Sequence, residues 1–214
     1  QWMNQIAANP TKPPFDVIYL ASDHAFDAIN RGIVDKITAD KVPEINELEP
    51  RFRDIGGGFG VVNNYGAKGL MYNSKVVKNP PKTWKEFVDG TIAGKWKAAI
   101  PSINYVGAMS TVMWHFSELY GGSLDNVQPA IDVVKKMLDS KNLVLWSDPN
   151  QFLQQLKGGD FDIGAYWDGR AWSFIDPENP DFKFYAPEPG SVAAMTWISK
   201  VKGGSDLAWE YMRT

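Results

Sequence analysis

A chain of 214 residues with 44% hydrophobic and 22% charged side chains has enough apolar content to bury one large core or two small ones, which excludes disorder and fibre. A net charge of −3 supplies no excess of Lys and Arg for phosphate, which excludes nucleic acid and anionic lipid as partners, and no apolar run approaches the roughly 20 residues of a membrane helix. The absence of Cys removes disulfides, thiolate metal sites and thiol catalysis, and suits an oxidising bacterial envelope.

In chain order, Gln1 to Ala8 reads as the tail of a helix with Trp2 and Ile6 on one face. After the Pro10 to Pro14 breakers, Phe15 to Leu20 is a β-rich strand expected to be covered on both faces. A polar loop with Ser22 and His24 leads to a helix over Ala25 to Arg31, stopped by Gly32. Gly56 to Gly60 is followed by neither Lys-Ser nor Lys-Thr, so it is a flexible loop rather than a phosphate loop. Val61 to Asn73 is extended, punctuated by Gly66 and Gly69.

Strand, polar loop and helix recur from Ala98, with Ser102-Ile103-Asn104-Tyr105 as the loop and Val106, Met109, Met113, Phe116 and Tyr120 on one helical stripe. Asp125 and Gln128 have the spacing of a capping box, ahead of Val127, Ile131, Val134 and Leu138. Asp148-Pro149 opens a further helix with a cap and a first-turn Pro, closed by Gly158-Gly159. The strand Phe161 to Tyr166 then ends in Trp167-Asp168-Gly169-Arg170. Phe182 to Trp197 is extended again, and Ser205 to Thr214 starts a helix whose Trp209 and Met212 are expected to lack a partner. The two ends are expected to be cut from a longer protein.

Strands alternating with helices predict α/β layers with a mostly parallel sheet. The two extended segments predict two lobes joined by a double crossing: lobe one over 1–64, a crossing at 65–73, lobe two over 74–184, and a return with the rest of lobe one over 185–214.

In an open α/β sheet, ligands sit beyond the carboxyl ends of the strands. Trp167, Asp168 and Arg170 therefore suit something small, amphipathic and charged. Each has a plainer reading. Trp167 shares the core phase of Phe161, Ile163 and Ala165; Asp168 caps the following helix; Arg170 is solvated or pairs with Asp168 or Asp176. Ser22 and Ser102 cap helices, His24 lies on the surface, and Tyr65 packs beneath the crossing. His115, among Met113, Trp114 and Phe116, is structural. No Gly-x-Ser-x-Gly elbow is present, the two His are far apart, and beside His24 only Asp23 and Asp27 stand at metal spacing, so neither an enzyme nor a metal or other cofactor is expected.

Several motifs occur in a shared order: Phe15-Asp16-Val17-Ile18 leading to Ser22 and His24, Gly32-Ile33-Val34-Asp35-Lys36-Ile37, Asn64-Tyr65-Gly66, Pro81-Lys82-Thr83-Trp84, Gly94-Lys95-Trp96, and Gly159-Asp160-Phe161-Asp162-Ile163-Gly164 with Trp167-Asp168-Gly169. In that order they resemble the solute-binding proteins of ABC transporters, of the extracellular family-1 type and nearest the spermidine/putrescine-binding branch. The resemblance implies a type II periplasmic-binding fold whose lobes close on a small molecule and then dock on permease subunits. It implies a monomer in the periplasm, or tethered outside a Gram-positive membrane.

By the same resemblance Ser22 and His24 take the positions of a hydroxyl and an aromatic contact, and Trp167 that of a pocket tryptophan, with Tyr65 and Thr196 on the crossings. The polyamine pattern is incomplete: neither Ser102 to Tyr105 nor Ala194-Met195-Thr196-Trp197 holds an acid, and a buried dication without counter-charge is costly. A planar guanidinium reads carboxylate or phosphonate bidentately. The expected solute is therefore a zwitterion, its ammonium on Asp168 and the faces of Trp167 or Tyr105, its acid on Arg170, with hydroxyls from Ser22 and Ser102. Rival readings are a sensor domain of the same fold, an enzyme on a related lobe architecture, and a ferric-ion binder, for which Tyr166 has no adjacent Tyr.

Overall fold

A computed structural model describes residues 1–213, without the side chains of residues 23, 106, 107 and 194; the readings placed on Asp23, Val106, Ala194 and Thr214 lie outside the described residues. The strands are β1 (Val17–Ala21), β2 (Val61–Asn73), β3 (Ala98–Pro101), β4 (Leu143–Trp146), β5 (Ile163–Trp167), β6 (Phe182–Tyr185) and β7 (Val192–Lys200). The helices are α1 (Trp2–Ala8), α2 (Ser22–Asn30), α3 (Pro50–Arg53), α4 (Trp84–Ile92), α5 (Val106–Leu119), α6 (Gln128–Asp139), α7 (Pro149–Gly158), α8 (Asp168–Ile175) and α9 (Leu207–Tyr211). The chain divides into two compact units, Gln1–Tyr65 with Ala194–Thr214, and Gly66–Ala193. It passes from one to the other twice, within β2 and within β7.

In the first unit β1 pairs antiparallel with β7, Val17 opposite Lys200 and Ala21 opposite Thr196. Ile18 and Leu20 enter a core with Ala25, Ala28, Ile33, Val34, Trp197 and Val201. Tyr19, between them, is 41% exposed. The strand is thus covered on one face only, because an antiparallel pair can leave its other face in water. Ile6 reaches this core while Trp2 stays outside against Phe15. Trp209 and Met212 have a partner after all: they pack on Ile37, Val42 and Ile45. Helix α2 starts at Ser22, so Ser22 and His24 stand in its first turn rather than in a loop.

In the second unit β3 lies between β4 and β5, parallel to both. These strands are linked through α5 with α6, and through α7, the helical crossovers that parallel pairing requires. The parallel run stops there: β2 is antiparallel to β5 and to β6. Period-two alternation sends neighbours to opposite faces. Leu70, Ala98, Ile100, Ile163 and Ala165 join Trp84, Phe87, Phe116 and Met137 on one side. Met71, Ala99, Trp146 and Tyr166 join Phe152, Leu156 and Phe161 on the other.

Local chemistry sets the helix starts. Thr83 accepts the Glu86 N–H at 3.0 Å to cap α4, and the Trp84 indole N–H donates to the Gly190 carbonyl at 2.8 Å. Asp148 caps α7 by accepting the Asn150 and Gln151 N–H groups, both at 2.8 Å, with Pro149 behind it and Gly159 closing the helix at φ +82°. The box expected from Asp125 and Gln128 does not form. Asn126 is nearer and accepts the Gln128 N–H at 3.3 Å, while the Gln128 amide turns forward to Asp132. Replacing Asp148 by Ala should cost about 1 kcal/mol in urea unfolding, whereas Asp125→Ala should stay within about 0.5 kcal/mol of the parent.

Candidate functional site

Because β3, β4 and β5 run parallel, their carboxyl ends share one edge of the second unit. Ser102 follows β3, Trp146 ends β4, and Trp167 ends β5 ahead of Asp168 and Arg170 in the first turn of α8. The Ser102 N–H donates to the Trp146 carbonyl at 2.7 Å and the Tyr105 N–H to the Ser102 carbonyl at 3.0 Å, which curls the loop back over the edge. The Ser102 hydroxyl is buried and accepts the Asn104 N–H at 3.1 Å, so it acts locally as a turn former.

That turn sets the Tyr105 ring 5.8 Å from Trp146 and 5.5 Å from Trp167, with the two indoles 5.4 Å apart, edge to face. Beneath them Tyr166 stacks on Phe152 at 4.2 Å. Tyr105 is 36% exposed and Trp167 is half-buried. Trp167 thus packs on the core rings and is partly exposed.

Asp168 is the first residue of α8 rather than its cap. Its carboxylate accepts the Ala67 N–H at 2.9 Å and the Gly169 N–H at 2.7 Å, tying β2 to α8. Gly66 leaves the room for this: a Cβ there would stand 2.8 Å from the carboxylate oxygen. A carboxylate has about four acceptor positions, so Asp168 keeps capacity for another donor. Arg170 is exposed and donates to the Asn150 side-chain oxygen at 3.3 Å, rather than pairing with Asp168 or Asp176.

Sequence reasoning did not single out Lys68, which faces Trp167 in the β2–β5 register. It is 1% exposed, donates to the Ala108 carbonyl and the Thr111 hydroxyl, and holds its ammonium 5.6 Å from the centre of the Trp167 ring. The signal was a lysine placed directly before the buried run Gly69-Leu70-Met71, since a buried charge demands specific compensation. It also passed over Trp146, which periodicity alone reads as core.

In the first unit Ser22 and Thr196 lie together at the end of β1. The Ser22 hydroxyl donates to the Met195 carbonyl at 3.4 Å and accepts the Trp197 indole N–H at 3.1 Å. His24 is exposed on α2, and Tyr65 is exposed with its ring 5.8 Å from Phe52. His115 packs edge-on to Trp84 at 5.1 Å, and burial holds its pKa below the usual imidazole range.

The sequence matches the bacterial extracellular solute-binding protein family over residues 2–214, and the chain belongs to that family. No curated protein matches it. Among solved structures, an ABC transporter from Clostridium perfringens shares 19% identity at a TM-score of 0.79, over 99% of this chain and 66% of its own. The spermidine/putrescine substrate-binding protein PotD from Streptococcus pneumoniae shares 15% at 0.70, over 93% and 62%. A GABA receptor shares 19% at 0.76, over 99% and 63%. The chain thus spans less than two thirds of the length of these structures, and the likeness to them is one of fold. The family to which the chain belongs is one of solute-binding proteins rather than of enzymes.

The Tyr166 phenol donates to the Pro149 carbonyl at 2.7 Å, and burial pushes its pKa up to about 12, with Arg170 pulling the other way. Its folded-state pKa lies above the unfolded value near 10, so its contribution to stability is complete below pH 10 and is lost as pH rises toward about 12. Urea unfolding at stepped pH should show stability falling across that window, and Tyr166→Phe should flatten the slope.

Proposed function

We propose, from membership of the extracellular solute-binding family, that this chain is solute-capturing material of an ABC importer, and that its solute is a small zwitterion such as an ω-amino acid or an aminoalkylphosphonate. The observation that carries this reading is the carboxyl edge of β3, β4 and β5, where Tyr105, Trp167, Asp168 and Arg170 stand on one side of one unit. Aromatic faces and a carboxylate with spare acceptor capacity suit an ammonium group. An exposed guanidinium suits an acid. The buried Lys68 ammonium behind Trp167 adds a second positive charge to the same edge.

That balance disfavours a polyamine. The loop Ser102 to Tyr105 brings no acid, and two cations flank the aromatic rings. Both a spermidine/putrescine-binding protein and a GABA receptor share the fold, so the ligand class has to be argued from side chains. Ser22, His24, Tyr65 and Thr196 of the first unit stay candidate solute contacts in their own right. Solute binding shifts the population toward the form that docks on a permease, at the outer face of the membrane or in the periplasm, with the protein acting as a monomer.

Isothermal titration with 4-aminobutyrate, 2-aminoethylphosphonate and putrescine tests the reading. At least one zwitterion should bind and putrescine should not. Arg170→Ala should weaken the zwitterion about tenfold or more, the worth of a charge-assisted hydrogen bond. Tight putrescine binding with no response to the zwitterions contradicts it.

A further inference from the structure

The deeply buried indoles of this chain differ in one respect. The Trp84 N–H donates to Gly190 and the Trp197 N–H to Ser22. The half-buried Trp96 donates to Thr91. Trp146 is 1% exposed and its N–H has no hydrogen-bond partner among the described residues. A buried donor left unmade forfeits what it would have gained from water, so such groups are rare and call for a reason.

The position of Trp146 supplies one. It ends β4 on the edge already described, surrounded by Tyr105, Phe152, Tyr166 and Trp167 at centroid distances of 5.4 to 5.8 Å. Phe152 and Tyr166 are sealed in the core, whereas Tyr105 is 36% exposed and sits at the end of a loop. Of the rings packed on Trp146, Tyr105 is therefore the one a solute reaches from the edge. An indole N–H donates and cannot accept, so its partner must be an acceptor. Two cations on this edge favour an anionic one: the Lys68 ammonium lies 5.6 Å from the Trp167 ring, and the exposed Arg170 follows Trp167 in the first turn of α8.

We propose that the Trp146 indole N–H is a ligand-binding donor, and that the carboxylate or phosphonate of the bound solute displaces the Tyr105 ring and accepts it. This rests on the zwitterion reading above and adds a residue to it, a specificity determinant for the acid end of the solute.

The test is nuclear magnetic resonance of the ¹⁵N-labelled chain, with the Trp146 indole resonance assigned by its loss in Trp146→Phe, titrated with 4-aminobutyrate and 2-aminoethylphosphonate. On saturation that resonance should move downfield, and calorimetry should show Trp146→Phe binding roughly ten- to a hundred-fold more weakly. Tyr105→Ala should speed exchange of the same indole proton with water before any solute is added. If the parent binds a zwitterion but the resonance stays in place and Trp146→Phe keeps its affinity, the N–H points at a neighbouring ring and this proposal falls while the solute reading stands. If the parent binds neither zwitterion, the solute reading fails and this proposal with it. Should Trp146→Phe not fold, the parent's resonance decides alone: movement supports the proposal and immobility overturns it.

Discussion

The rings of Phe152 and Tyr166 lie flat on each other at 4.2 Å with only 6° between their planes, and the ends of β4 and β5 are built on that stack. Trp146 leans on both rings, Trp167 leans on Trp146, and Tyr105 closes over the two indoles. Each such pair contributes about 0.5–1.5 kcal/mol beyond its buried area. The larger consequence is positional. Three chain segments distant in sequence are held at one edge.

The electrostatics follow from the same packing. Lys68 is carried into the interior by the β2–β5 register, opposite Trp167, where carbonyl and hydroxyl acceptors and the indole face stand in for water. Asp168, one residue further on, is fixed by backbone N–H groups of β2 and α8. A cation and an anion are thus set by backbone and packing beside Trp167, while Arg170 is exposed and holds Asn150.

Much of the fold could be read in advance because its signals are local. The extended run from Val61 to Asn73 is β2, and Asp148-Pro149 starts α7. Strand direction is not a local property, so nothing in the pattern of β2 or β7 revealed their antiparallel pairing, or that Tyr19 would face water. Asp125 misled for a related reason: its spacing suits a box, but Asn126 competes for the same N–H. Within the site, Trp167, Asp168 and Arg170 were visible as a loop after a strand. Lys68 and Trp146 were not, because one looked like a strand flank and the other like core until the register placed them beside Trp167.

The account depends most on the claim that solute meets this edge. A crystal structure of the chain grown with 2-aminoethylphosphonate tests it directly. The account predicts density for the phosphonate against the carboxyl ends of β3, β4 and β5, in contact with Trp167 and with the Tyr105 ring turned away from Trp146. Density lodged elsewhere, with the Tyr105 ring still closed over the two indoles, would contradict it.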